Sequence, residues 1–217
     1  MVNLVVFLAY SLIYIELISF VAGIYYFKKF KDSYWKWFIY YLGLISLLGF
    51  FQLHVIIEYF EEYNNYFGSY LIIPIEFMFF FWLYAYKSLK KKNLFWVFSF
   101  LYLLSFAMHS FIKKEISSFY SFNYVIGAFL LGILVFLEYM KQIKSDDIIK
   151  FKENMMFYIN LGVSILYIGT LPFFSFYGII IKDLDLRMNY YLFFLIVNNF
   201  MYILFTLAFI WSKPNTY

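Results

Sequence analysis

The fold class that the sequence predicts is all-α: a polytopic membrane protein, a bundle of seven transmembrane helices forming one domain over residues 1–217, with the N-terminus out and the C-terminus in. Three observations predict it. Apolar residues make up 65% of the chain and charged residues only 14%, too few to clothe a water-soluble domain. Seven stretches reach the length of about 20 residues that a helix needs to cross a hydrocarbon core. The lysines collect in alternate loops, which is how orientation is written in membrane proteins.

The first span, near 3–27, exceeds a signal-peptide core and lacks a small-x-small cleavage site before Lys28, so it reads as retained, with Met1 near the outer surface. Glu16 sits near its middle in YIELISF, and Ser19 and Gly23 follow on the same helical face. The second span, near 36–59, carries Gln52 and His54; His54 and Glu58 are spaced for an imidazole–carboxylate pair near the outer interface. In the third, near 69–88, Glu76 is expected roughly 10 Å from the outer end. Pro74 cannot donate an amide hydrogen bond and loosens the helix there. Glu76 is therefore expected to point into an outward-facing polar pocket.

The fourth span, near 94–112, holds His109, and the fifth, near 122–140, holds the small residues Ala128 and Gly132. The sixth, near 155–181, contains Asn160, Gly162, Gly169 and Thr170. The seventh, near 190–211, presents at least one of Asn198 and Asn199 inward through VNNFM. Small residues at these positions permit close helix packing. The Tyr and Phe content reads mostly as lipid-facing surface and interfacial belt, with Trp35, Trp37, Trp96 and Trp211 near the inner boundary.

Loops one, three and five and the tail carry Lys28, Lys29, Lys31, Lys36, Lys87, Lys90, Lys91, Lys92, Lys141, Lys144, Lys150, Lys152 and Lys213. The opposite loops carry only Lys113, Lys114, Lys182 and Arg187, offset by Glu58, Glu61, Glu62, Glu115, Asp183 and Asp185. The positive-inside rule sets the lysine-rich side in the cytoplasm, and an odd number of spans preserves the alternation. The location expected is the cytoplasmic (inner) membrane. No loop leaves room for a fused catalytic domain.

Cysteine is absent, which removes disulfides, thiol nucleophiles and cysteine-based metal sites. Two histidines and no HExxH give no metal or haem site, so no cofactor is expected. No GxSxG is present, and the seventh span lacks the lysine of a retinal Schiff base. The short lysine clusters read as topology signals and exclude a nucleic-acid partner. Ionisable groups at membrane depth cost roughly 2.5–3.5 kcal/mol on insertion, so they face the bundle interior or a wet cavity. The candidate ligand-binding residues are accordingly Glu76, Glu16, His54, Gln52, Asn198 and Asn199. Each has a structural reading beside the functional one: a hydrogen-bonded tie between helices.

Glu16 in the first span, PIEF in the third (Pro74 to Phe77) and the Asn-containing seventh span ending in WSKPNTY resemble small bacterial seven-helix membrane proteins of the sensory or receptor type that lack a fused output domain. The topology is also similar to that of sugar and vitamin transporters with a three-plus-one-plus-three repeat. The resemblance implies a receptor-like or accessory subunit acting through a cytoplasmic or membrane partner, or as a homo-oligomer among membrane lipids. The alternative is a small-solute or proton-coupled transporter with Glu16 and Glu76 as titrating groups. A membrane-embedded lipid enzyme using His54 with Glu58 or Glu76, and an immunity protein, rank below these.

Overall fold

The computed structural model describes residues 2–112, 119–145, 149, 151–180 and 182–213. Within them the chain folds into helical rods: α1 (Val2–Tyr25), α2 (Trp35–Tyr59), α3 (Glu61–Ser88), α4 (Lys92–Ile112), α5 (Phe119–Lys144), α6 (Met155–Ser175) and α7 (Leu184–Trp211). Six of them are long and apolar enough to cross a membrane, and the apolar stretch described in α4 is the shorter Lys92–Ala107. No strand occurs among the described residues; the one bridge joins Asn154 to Lys213. The side chain of His109, and Lys113, Lys114, Glu115 and Lys150, lie outside the described residues.

The rods differ from the expected spans mainly at their ends. α3 starts at Glu61 instead of 69, so Glu76 lies fifteen residues in, about 22 Å along the axis and near mid-helix. α6 ends at Ser175, shortly after Pro172, and a separate turn of helix follows over Tyr177–Ile180. α7 begins at Leu184, because the Asp183 carboxylate accepts hydrogen bonds from the amides of Asp185 and Leu186 and caps the first turn.

Four π-helical turns interrupt the rods, at Gln52–Ile56, Gly68–Ile72, Trp82–Ser88 and Ser164–Ile168. Two have a cause in proline. A proline forfeits the bond to the carbonyl four residues earlier and its ring crowds that carbonyl. For Pro74 and Pro172 those carbonyls belong to Tyr70 and Ile168, and both lie in the wider π-turns.

α3 is the central rod. Phe77, Phe80 and Phe81 are fully buried, and their rings meet Tyr102 of α4, Tyr124 of α5, Tyr167 of α6 and Phe205 of α7. Around it α1 packs on α2 and α7, α7 on α6, α6 on α5 and α5 on α4. Small residues set the closest approaches: a methyl group on Gly127 of α5 would sit 2.7 Å from the Phe77 ring. Trp35, expected at the interface, is fully buried at the start of α2, where its ring meets Tyr34 and Phe38.

One end of the bundle gathers the lysines. Lys29 donates to the carbonyl of Phe209 in the last turn of α7, a position that favours a cation; burial there lowers its pKa from the ordinary lysine value. Lys213 pairs with Glu153 just before α6, and Lys141 of α5 donates to Ser88 at the end of α3. These links draw the lysine-bearing loops together.

Candidate functional site

At the centre of the bundle Glu16 and Glu76 lie within electrostatic reach of each other. Every rod contributes to their surroundings. The Glu16 carboxyl rests on Gly49 of α2, where a Cβ would approach its Oε2 to 3.2 Å, and it engages Tyr202 of α7. Tyr167 of α6 donates its hydroxyl to Glu76 Oε2 at 3.1 Å. Tyr41 of α2 lies within electrostatic reach of both carboxyls, and Tyr102 of α4 and Tyr124 of α5 within reach of Glu76.

Hydroxyl directions follow from donor counting. The single Thr170 proton goes to the Leu166 carbonyl at 2.6 Å, so Tyr124, 2.9 Å away, is the donor to Thr170. The hydroxyls of Tyr41 and Tyr102 are buried with no hydrogen-bond partner, a cost of about 1–3 kcal/mol each. Two acidic side chains and two spare hydroxyls thus share one interior. Among the described residues no lysine, arginine or histidine joins them.

Such a set accepts positive charge. Carboxylate oxygens and phenol oxygens are ligands for a proton or a small cation, and the tyrosine faces suit an organic ammonium group. Beside it, a groove of about 270 Å³ between α2 and α3, lined by Trp37, Tyr40, Leu44, Ile75, Phe79 and Trp82, ends on Tyr41. The Tyr41 and Phe79 rings stack 4.0 Å apart at 3°.

The chain matches no known protein family, no curated protein and no solved structure.

The six candidate residues divide. Glu16 and Glu76 meet at the centre. Asn199 is buried and clasps α7 to α1, donating to the carbonyls of Leu8 and Leu195 and accepting from Ser11. Asn198 is half-buried and makes no hydrogen bond among the described residues. Gln52 donates to the Asn64 side chain at 2.7 Å, bridging α2 to the first turns of α3. His54 is exposed, its ring against Phe50, and no bond or ion pair joins it to Glu58.

The sequence reading missed the tyrosines and Glu138. In a chain with 24 tyrosines nothing distinguishes Tyr41 from its lipid-facing neighbour Tyr40 except burial: 4% against 49% exposed. Glu138, 1% exposed, stands close enough to the lysines of loop five to pass for an interfacial residue. The signal available was its spacing from Lys141 and Gln142, three and four residues on along one helical face.

Proposed function

We propose that the chain is a seven-span protein of the cytoplasmic membrane, N-terminus outside and lysine-rich end inside, that binds protons or a small cationic solute at Glu16 and Glu76 and works as a proton- or cation-coupled transporter. The observation carrying this reading is the convergence of two carboxyl groups, Glu16 buried and Glu76 half-buried, ringed by tyrosines, with no cationic side chain among the described residues. A purely structural carboxyl needs only one hydrogen-bonding neighbour. Two acids held within each other's field are a standing cost unless something positive is shared between them.

A receptor-like role acting through a partner, or through a second copy, draws support from a different observation. A ligand or lipid lying in the groove between α2 and α3 touches Tyr41, the ring within electrostatic reach of both carboxyls, and the lysine-rich end offers a docking surface or binds anionic lipid.

The test is reconstitution into liposomes containing a pH-sensitive dye, with a potassium diffusion potential as driving force and ethidium as a cationic probe. Transport of either, lost in Glu76→Gln and in Glu16→Gln, supports the proposal. Full flux in both variants at every pH refutes it. Ethidium binding without flux in any form moves the weight to the receptor reading.

A further inference from the structure

The inner half of the bundle holds a second polar cluster, at the lysine-rich end. Glu138 accepts from Ser88 Oγ at 2.7 Å and from Gln142 Nε2 at 3.1 Å. Lys141 Nζ is 3.8 Å from the same carboxylate, donates to both oxygens of Ser88, and is 29% exposed where Glu138 is 1%. The fully buried Tyr84 lies within electrostatic reach of Glu138 and Tyr139, and its hydroxyl has no hydrogen-bond partner; nor has Gln142 Oε1. On α6, Ser164 bonds Tyr139, and the buried Asn160 Oδ1 is unpartnered. A carboxylate whose only role was to tie α3 to α5 would be satisfied by Ser88 and Gln142. Here two buried polar atoms beside it, the Tyr84 hydroxyl and Gln142 Oε1, are left open, each at the usual desolvation cost.

Between this cluster and the central acids stands one ring. Phe80, fully buried, lies 5.8 Å from Tyr167 and 5.5 Å from Tyr41 on the central side and 6.5 Å from Tyr84 on the inner side. An apolar constriction of this kind blocks water and ions by dewetting.

We infer that Glu138 is a second proton- or cation-accepting station, serving the inner end of the path whose centre is Glu16 and Glu76, with Phe80 as the barrier between the two. This rests on the transport reading above. A proton leaving the central pair is accepted by the Glu138 carboxylate as Lys141 withdraws toward solvent, and is then released at the lysine-rich face. The groups around Glu138 are Tyr84 and Ser88 from α3, and Tyr139, Lys141 and Gln142 from α5.

The experiment compares proton entry into dye-loaded liposomes for the wild type, Glu138→Gln, Phe80→Ala and Glu76→Gln, with infrared difference spectra of the carboxyl band. Glu138→Gln is expected to slow entry at least tenfold while the central carboxyl signals persist, and Phe80→Ala to raise passive leak. Wild-type entry in a folded Glu138→Gln protein overturns the inference and leaves the central site standing. Central carboxyls that neither titrate nor bind ethidium overturn both. Should Glu138→Gln not fold, Ser88→Ala with Gln142→Leu strips the donors and keeps the acid; unchanged entry in that variant also refutes the station.

Discussion

Gly127→Ala tests whether the central site depends on the packing of α3 against α5. The added methyl carbon would lie 2.7, 2.7 and 2.8 Å from three atoms of the Phe77 ring, against an ordinary carbon–carbon contact of about 3.5–4.0 Å. The ring must therefore retreat by about 1 Å. It has nowhere to go, because Tyr102, Tyr124 and Tyr167 surround it at centroid distances of 5.2, 5.6 and 5.2 Å. Overpacking of this type costs about 1–3 kcal/mol, which for a chain of this size lowers Tm by about 2–12 °C. Phe77→Leu makes room at the cost of a void. In the double variant the two losses should not add, and a thermal-shift cycle in detergent should give a coupling of at least ~1 kcal/mol. Additivity within about 0.3–0.5 kcal/mol would refute the packing argument.

Asn199→Leu removes the two hydrogen bonds of the α1–α7 clasp and one within α7; at about 0.6 kcal/mol per interhelical bond the variant should lose about 1–2 kcal/mol, read by denaturant titration in micelles. Lys90 has φ 57° between α3 and α4, a conformation glycine adopts without a Cβ clash, so Lys90→Gly should raise stability by about 1 kcal/mol. A decrease would mean that the lysine side chain contributes something at that turn. Tyr167→Phe deletes the hydroxyl that donates to Glu76 at 3.1 Å; bonds to charged groups contribute about 1.5–3 kcal/mol, so ethidium affinity or proton entry should fall by about tenfold or more in liposomes.

Much of the fold was legible because membrane insertion depends on length and apolarity, which a linear sequence records directly. The rods overlap all seven expected stretches. Their ends were less legible, since Glu61, Glu62 and Asn64 look like loop residues and are nevertheless helical at the start of α3. Of the site, the acids were readable, because a carboxyl in an apolar stretch has few explanations. Their depth was not, because it depended on where α3 began. The tyrosines could not be picked out, since a side chain that suits both lipid and interior leaves no pattern when both faces of a helix are apolar. His54 and Glu58 have the spacing of a pair, but both side chains are exposed, where an ion pair contributes little that would hold them together.

The π-turns bear on how the chain tolerates change in length. Each closes with an amide bonded five residues back, as Ile73 to Gly68 and Leu89 to Tyr84 do in α3, one residue more than an ordinary turn requires. α3 is thus two α-helical pieces, Glu61–Phe67 and Ile73–Phe81, joined by one π-turn and finished by another, with Glu76, Phe77 and Phe80 on the rigid piece between the two π-turns. Deleting one residue within Gly68–Ile72 would let that coupling relax to α-geometry with the pieces on either side still facing as before, because five residues of π-turn sweep about the same angle as four of α-helix. The Gln52–Asn64 bridge and the acids would both keep their register. Length variation in this rod is absorbed at its joints, and the chemistry is carried on the segment between them.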